Sequence, residues 1–469
     1  MYYTYIELLK TILYYINFFF LIYLIGYATF MFISVITGAI TLSNRKQAQV
    51  LKKNYYPRKN IPVSIIVPAY NEEITVTDTI KSLLALDYDE YEIIIVDDGS
   101  KDRTSQILIE KFGMLPVHKV IDKQIPCREE LSVYETFNEK VPVTLITKKN
   151  GGKADALNMG INASRYPYYL CMDADSILQH DSLQKIAIPF IEEQNVIAAG
   201  GVVRPANNVT IKDGRVVKYR FPSSPVAAMQ VLEYDRSFLS SRILFDKFNG
   251  SLIISGAFGL FNKSLVIAAG GYESSTLGED MELVVRLHHY CVSNEIPYSI
   301  RYATDAVCWT QVPEKLRDLA KQRKRWQLGL FQSMMKHKAL MFNTKYGAVS
   351  FISYLYFLIY ELFSPFIEIF GFFTMVLSFI LGLVYAKYMV LFFATYIFFG
   401  CMITITAFAS RSQTLDLKLR FSDFLKALFL CFFEIVCLRF VLSFVRATAF
   451  FGYKKNKLNW GKLERKKLS

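Results

Sequence analysis

Tyr168-Tyr169-Leu170-Cys171-Met172-Asp173-Ala174-Asp175-Ser176 sets an apolar run directly against two carboxylates separated by one residue. An apolar run stopped by turn-forming Asp and Ser reads as a buried strand ending at a loop. Residues i and i+2 of an extended chain point the same way, so Asp173 and Asp175 can serve one ligand. Two carboxylates at the carboxyl end of a buried strand make a hard-oxygen site, suited to Mg2+ or Mn2+ carrying a diphosphate. A capped turn with two solvated acids is the plainer alternative. Asp-x-Asp alone does not choose between them, so the rest of the chain has to supply partners.

Working outward, the same pattern recurs on the amino-terminal side. Ile61 to Pro68 is a short apolar strand that ends in Ala69-Tyr70-Asn71-Glu72-Glu73, and Ile74 to Leu86 follows at helical spacing. Tyr91 to Val96 is a second buried strand, ending in Asp97-Asp98-Gly99-Ser100, with a helical pattern from about Thr104 to Phe112. Residues 143–147 form a third strand, closed by Lys148-Lys149-Asn150-Gly151-Gly152-Lys153, and Ala154 to Ala163 reads as a helix. Strands alternating with helices predict a parallel sheet with right-handed crossovers. In such sheets the ligand site lies off the carboxyl ends of the strands. Asn71-Glu72, Asp97-Asp98, Gly151-Gly152-Lys153 and Asp173-Asp175 all fall at that edge. Gly151-Gly152 at a helix start lets the backbone approach a ligand, and Lys153 adds a point charge that favours phosphate. A glycine turn with a solvated lysine is the alternative. Asp97 and Asp98 can accept hydrogen bonds from a base or ribose, or can simply cap their turn.

On the carboxyl side, Val196 to Val203 is an apolar strand, 204–225 a hairpin or loop, and Met229 to Phe245 a helix. Ile253 to Phe261 reads as a glycine-interrupted strand whose small residues let another chain approach closely, or pack tightly on a helix. Glu279-Asp280 precedes an amphipathic helix, where acids are often caps. An acid there can instead act as a general base, provided that it lies within hydrogen-bond reach of the proton it takes. Asp280 fits, because a helix amino end keeps its charge stable; Glu279 is second. Gln322, Arg325 and Trp326, at i, i+3 and i+4, share one helical face. A guanidinium can bind a diphosphate by two bonds, and an indole offers a flat surface for a sugar ring. The alternative is a helix on the membrane surface, and both hold if Lys315, Arg317, Lys321, Arg323 and Lys324 serve the lipid. His288, His289 and Trp309 read as packing residues.

A chain of 469 residues normally holds two or three domains. Residues 12–40 form one nearly uncharged apolar run long enough to cross a bilayer and too long for a signal-peptide core. A second apolar region fills 347–451, carrying Glu361, Glu368, Glu434, Arg439 and Arg446, and four or five spans are expected in all. Charges at membrane depth usually face a bundle interior or an aqueous path, so the three glutamates are candidate liners of an exit route; non-spanning interfacial helices are the alternative. Arg45, Lys46, Lys52, Lys53, Arg58 and Lys59 follow the first run, which by the positive-inside rule puts the middle domain in the cytoplasm. The net charge of +13 therefore answers to membrane lipid rather than to nucleic acid. The seven cysteines have no metal-type spacing and read as reduced packing residues. The divisions are a membrane anchor (1–44), a basic linker (45–59), a catalytic domain ending in an interfacial helix (60–340), membrane or interfacial helices (341–451) and a basic cytoplasmic tail (452–469).

Pro68-Ala69-Tyr70-Asn71-Glu72, Val96-Asp97-Asp98-Gly99-Ser100, Gly152-Lys153-Ala154-Asp155-Ala156-Leu157-Asn158 and Asp173-Ala174-Asp175 resemble the nucleotide-sugar half of family-2 inverting glycosyltransferases. Gly278-Glu279-Asp280 and Gln322-Arg323-Lys324-Arg325-Trp326 resemble that family's acidic base motif and its QxxRW motif. The latter is associated with the processive, membrane-embedded cellulose, hyaluronan and poly-N-acetylglucosamine synthases. The resemblance covers about 60–335, with two departures: the long stretch from Lys101 to Thr144, and Gly278 where many polymerising relatives carry Thr.

The resemblance implies an α/β fold of GT-A type, a Rossmann-like, mostly parallel sheet, set between amino- and carboxyl-terminal transmembrane helices. It implies transfer of a hexose or N-acetylhexosamine from a UDP-sugar to a growing β-linked polysaccharide, processively and coupled to export. A poly-N-acetylglucosamine-type synthase is favoured. The alternatives are a glucan or hyaluronan type, or a non-processive enzyme acting on a lipid or lipid-linked acceptor. Tyr70, Glu72, Asp98, Lys153, Asp173, Gln322 and Arg325 would bind the donor, and Asp173 with Asp175 would hold Mg2+ or Mn2+. Asp280, then Glu279, would be the base, with Ser255, Gly256 and Trp326 at the acceptor. The expected location is the plasma membrane, multi-pass, with room for auxiliary export or membrane subunits.

Overall fold

The structure is a computed structural model that describes residues 2–52, 60–136, 140–411 and 420–451. Part of the basic linker and the whole basic tail lie outside the described residues.

A helix α1 (Tyr2–Lys52) precedes the domain. The sheet then begins with β1 (Val63–Ala69), helix α2 (Val76–Leu84) and β2 (Tyr91–Asp97). Both strands are buried along almost their whole length, as continuous apolar runs in a sheet covered on two faces must be. Their parallel register sets Ala69 beside Asp97, so the two polar turns that follow open at the same edge. Helix α3 (Thr104–Phe112) leads to β3 (Leu115–Val117) and β4 (Glu130–Glu135), which pair antiparallel at one margin of the sheet. Next come β5 (Val143–Lys148), α4 (Lys153–Ala163), β6 (Tyr168–Cys171), β7 (Ser176–Leu178), α5 (Ser182–Glu192) and β8 (Val196–Pro205).

The predicted excursion after β8 is a hairpin, β9 (Val209–Lys212) and β10 (Arg215–Tyr219). Its turn is Asp213-Gly214, both at positive φ as a two-residue hairpin requires. The single helix expected over 229–245 is instead α6 (Pro225–Arg236), a π-helical stretch Ser237–Ser241 and α7 (Arg242–Asp246), the π segment setting the Leu239 carbonyl against Gly38 of α1. The expected strand over 253–261 is also shorter: only β11 (Gly259–Asn262) is extended, and 253–258 turns through a Phe258 N–H to Ser255 carbonyl bond. Then follow α8 (Lys263–Ala268), α9 (Glu279–Ser293), β12 (Ser299–Thr310) and α10 (Leu316–Lys336).

The ten-stranded order is β3-β4-β5-β2-β1-β6-β11-β8-β12-β7. β5, β2, β1 and β6 are parallel and so are β8 and β12, while β11 runs antiparallel between β6 and β8. The sheet is thus mixed and mostly parallel, with Trp309 fully buried in its core as the sequence suggested.

Beyond α10, a bent pair of π and α segments ends in α11 (Ser364–Ile380), followed by α12 (Ala386–Ser410), α13 (Phe421–Phe433), a π segment Glu434–Leu438 and α14 (Arg439–Ala447). Among the described residues three helical stretches are long and apolar enough to cross a membrane: Glu7–Arg45, Met389–Ser410 and Phe421–Phe450. A fourth arises if Val349–Leu362 and Ser364–Ile380, bent by 51°, count as one span, so the expected upper figure of five is not reached. α1 runs against α11 through Asn17 Nδ2 to Ser378 Oγ (3.2 Å) and Phe20 on Phe370. The other end of α1 docks on β12, with Arg45 donating to Thr304 Oγ1 at 3.3 Å and facing Asp305 at 3.7 Å.

The acids offered as liners of an exit path each have an arginine partner: Glu434 with Arg236 (2.9 Å), Glu368 with Arg439 (2.7 Å) and Glu361 with Arg446 (3.4 Å). Arg446 also donates to Gln327 of α10 at 2.7 Å, so the last apolar helix stays tied to the domain. Arg323 is buried and forks onto Glu233 of α6, at 2.5 and 2.7 Å, which removes it from the lysines and arginines assigned to lipid.

Candidate active site

The carboxyl edge of the sheet gathers its side chains from six separate segments. After β1, Tyr70 is exposed, and Glu72 turns inward. Glu72 accepts from Thr75 Oγ1 at 2.7 Å, and its N–H donates to Thr104 Oγ1 at 2.9 Å, so it organises the starts of α2 and α3. After β2, Asp97 accepts from the Ser100 N–H at 2.8 Å and from Ser105 Oγ. Asp98 is buried, with one oxygen accepting from Lys148 Nζ (2.6 Å) and the Gly151 N–H (2.9 Å) and the other from the Gly152 N–H (2.7 Å). Its carboxylate, expected at the nucleoside, thus holds the glycine turn, and burial pushes its pKa up against those bonds. Lys148 closes β5, is fully buried and also contacts Asp155 at 2.5 Å.

Gly152 is the residue before α4 and sits at φ +93°, a conformation costly for any side chain. It delivers Lys153 into the site, where Nζ lies 2.5 Å from Asp173 Oδ1 and 3.5 Å from Glu279 Oε1. Burial opposes the charge on Lys153, but Asp173, Glu279 and Asp280 outweigh it and hold the ammonium protonated well above the usual lysine range.

Asp173 and Asp175 do not lie on an extended strand. β6 stops at Cys171, and the pair occupies a turn closed by the Ser176 N–H to the Asp173 carbonyl at 3.1 Å. Asp173 is half-buried, Asp175 buried beside Ser176 Oγ at 3.4 Å, and Thr79 Oγ1 of α2 fixes the turn through the Ala174 carbonyl at 2.8 Å. No group of three metal-ligating side chains occurs among the described residues. The donor set still fits a hard divalent cation, because Mg2+ characteristically takes one or two carboxylates and completes its shell with substrate phosphate and water.

From the opposite side comes the amino end of α9. Asp280 is held by two backbone donors, Gly256 N–H to Oδ2 at 3.1 Å and Met281 N–H to Oδ1 at 2.8 Å. Gly256 is itself within reach of Lys153, since a Cβ built there would meet Nζ at 3.0 Å and Asp280 Oδ2 at 3.6 Å. Glu279 is buried and burial pushes its pKa up; Lys153 opposes this, Asp280 adds to it, and Arg325 of α10 lowers it from farther off. The structure thus brings Lys153, Asp173, Gly256, Glu279 and Asp280 together, with Arg325 in electrostatic range. Ser255 sits in the turn beside them, its Oγ accepting weakly from the Ala257 N–H at 3.4 Å.

On α10, Gln322 Oε1 is buried with no hydrogen-bond partner among the described residues. Trp326 is 41% exposed, with the Arg323 guanidinium 4.6 Å from its ring centre. His288 is packed between Tyr298 Oη (2.7 Å) and the Ser251 carbonyl (2.9 Å), and burial lowers its pKa to about 4.

Sequence reasoning missed the supports. Lys148 was legible only as part of a basic turn, and Glu282 as one more acid of an amphipathic helix. Glu282 is fully buried and takes Arg286 (2.9 Å), Lys336 (2.9 Å) and His337 (3.0 Å), pinning α9 to the end of α10. Arg286 reaches on to the carbonyls of Ala269 and Gly271.

Residues 59–329 match the family model described as "Glycosyltransferase like family 2". A poly-β-1,6-N-acetyl-D-glucosamine synthase of Staphylococcus epidermidis is 30% identical over 275 residues, which is 58% of this chain and 56% of that protein. The synthase of the same name from Staphylococcus aureus (strain COL) is 29% identical over 328 residues, 69% of this chain and 68% of its own length. Against these curated relatives the chain thus spans little more than half to two thirds of their length. Among solved structures, a mannosyltransferase of Pyrobaculum calidifontis in complex with GDP-Man and Mn2+ superposes with a TM-score of 0.51 at 17% identity, over 84% of this chain and 99% of that one. That likeness is one of fold, the GT-A type. With more than half of its length matched and that sheet in place, the chain belongs to glycosyltransferase family 2.

Proposed function

We propose that this glycosyltransferase moves an N-acetylhexosamine or hexose from a UDP-sugar to a hydroxyl of a growing β-linked polysaccharide, with inversion and repeatedly. The observation that carries the proposal is the meeting of Lys153 and Asp173 with Asp280 around the Gly256 amide, which sets a cation able to take phosphate beside a carboxylate able to take a proton. The relatives named as poly-β-1,6-N-acetyl-D-glucosamine synthases favour N-acetylglucosamine as the sugar.

In this reading Lys153, kept protonated by three carboxylates, faces the donor diphosphate and stabilises the charge that grows there as the sugar leaves. Arg325 contributes a second cation from α10, and Gln322, one turn before it with a buried Oε1, orients the donor. Asp173 and Asp175 would hold Mg2+ or Mn2+, which when bound acts as a Lewis acid on the leaving diphosphate. Asp280 accepts the proton of the attacking hydroxyl, and the Gly256 and Met281 amides fix the position of its carboxylate. Glu279, behind it, positions Lys153. Tyr70, exposed after β1, would meet the donor, and Trp326, which is part-exposed with the Arg323 guanidinium over its ring, would meet the acceptor, as would Ser255 and Gly256. Asp98 acts through the loop it holds rather than on the nucleoside directly. Glu72 does the same for the first turn.

We place the domain (60–340) on the cytoplasmic face of the plasma membrane. The cationic flank of α1, and Arg45 docked on β12, support that orientation. Auxiliary export subunits would meet the apolar helices.

The test is purified protein in lipid with Mn2+ and a panel of UDP-sugars. UDP release with one of them and a β-linked product of many residues is expected. A product of one or two sugars on a lipid would establish a non-processive enzyme, and no UDP release with any donor would refute the proposal.

A further inference from the structure

Residues 118–129, within the long stretch between α3 and β5, run back along α4 one turn at a time. The Ile125 N–H donates to Asn162 Oδ1 at 3.1 Å, and Asn162 Nδ2 returns a bond to the Ile125 carbonyl at 2.8 Å. One turn nearer the site, Asn158 Nδ2 reaches the Pro126 carbonyl at 3.4 Å. At the amino end of α4, the Arg128 N–H donates to both oxygens of Asp155, at 3.2 and 3.1 Å, and its Nη1 to the Asn150 carbonyl.

Asn150 lies in the glycine turn and Asp155 in the first turn of α4 that follows it. Asp155 also takes Lys148 Nζ, Lys148 is shared with Asp98, and Asp98 holds the amides of Gly151 and Gly152. Asn150 in turn donates its side chain to the Asp98 carbonyl at 2.8 Å. Residues 150–152, which place Lys153, are therefore held from inside the sheet by Asp98 and Lys148 and from outside by Arg128. The outer hold is a single long side chain, exposed to solvent, from the segment that joins β3 to β4.

We infer that residues 118–129 are a brace on the phosphate-binding loop and that Arg128 is a positioning residue that sets donor affinity. The inference rests on the reading that Lys153 receives the donor diphosphate. A loop already held at the height its ligand needs binds without first being ordered, so losing the brace weakens binding and leaves the chemical step alone. The guanidinium makes the contact as a charge-assisted donor to a carbonyl at the open end of a network, where the main-chain bond to Asp155 cannot substitute for it.

The experiment uses the full chain in nanodiscs, with UDP and Mn2+ as the probe in titration calorimetry. Arg128→Ala should weaken UDP binding roughly 10- to 100-fold, the value of one hydrogen bond from a charged donor. It should raise KM for the donor with kcat unchanged, and Arg128→Lys should recover most of the affinity. Amide exchange at Gly151 and Gly152 should quicken in Arg128→Ala while exchange within α9 and the melting temperature stay as in the parent. Equal UDP affinity together with equal exchange at both glycines would overturn the inference. Should the parent itself bind no UDP, the donor reading fails, and the exchange measurement alone decides whether the brace exists.

Discussion

Gly278, the residue before α9, lies against Gly329 of α10 so closely that a Cβ on Gly278 would stand 3.1 Å from the Gly329 backbone, and one on Gly329 would stand 2.8 Å from the Gly278 nitrogen. Gly278 is thus half of a glycine pair. The contact sets the separation between the helix that bears Asp280 and the helix that bears Arg325. Gly278→Ala and Gly329→Ala should each lower the melting temperature, by about 1–3 kcal/mol of stability, because an overpacked backbone contact has to open. The double variant should cost less than the sum, since one displacement relieves both clashes. Strictly additive losses would show that the glycines do not share a contact.

Asp280→Asn should keep UDP affinity, since its amide oxygen can still accept one of the two backbone bonds, from Gly256 or from Met281. Turnover should fall about 10²- to 10⁴-fold, the usual contribution of a general base. Arg325→Ala should weaken UDP binding and turnover together. Steady-state UDP release beside equilibrium UDP binding separates the two variants, and retained turnover in Asp280→Asn would take Asp280 out of its role.

The carboxyl edge of the sheet was legible because each of its parts is contiguous in sequence: an apolar strand, then polar turn residues, then a helix. The helix expected from about Thr104 to Phe112 spans those residues, and the Pro/Asn/Asp/Gly-rich stretch 204–225, open between hairpin and loop, holds a hairpin. What stayed hidden depends on partners far along the chain. Arg323 looks like its basic neighbours until Glu233, 90 residues away, is folded beneath it. Lys148 reads as one of three basic residues at a turn, though it is the one that is completely buried. β12 escaped notice because Arg301, Thr304 and Asp305 interrupt its apolar run, and its register shifts between Ala303 and Val307. The Asp173–Asp175 pair was located correctly in sequence but as a strand end rather than a turn, because periodicity does not say at which residue a strand stops pairing.

The buried group Asp98–Lys148–Asp155 balances one cation against two carboxylates, with glycine amides supplying the remaining donors. Removing the cation leaves both acids uncompensated. Lys148→Met should destabilise the domain by about 3–5 kcal/mol, the cost of breaking a buried pair from one side. Lys148→Met combined with Asp98→Asn should recover part of that loss in thermal melts, because the amide carries no charge to strand. No recovery would mean that Lys148 acts by packing alone.

Glu282 gives the enzyme an acid limit. Burial would raise its pKa, but His337, Arg286 and Lys336 more than offset it and hold the carboxyl at about 2, below its unfolded value of 4.5. A depressed carboxylate pKa contributes stability that is complete above the unfolded value and disappears as pH falls through the folded one. The window is therefore from about pH 4.5 down to about pH 2, with about 3 kcal/mol at stake. Glu282→Gln should be less stable than the parent at pH 7, and its melting temperature should vary less between pH 5 and pH 3. Because Glu282 ties α9 to Lys336 and His337, the same variant should lose turnover at neutral pH more than it loses UDP affinity, which depends on the other side of the pocket. Parallel pH slopes in parent and variant would assign the acid limit to a different group.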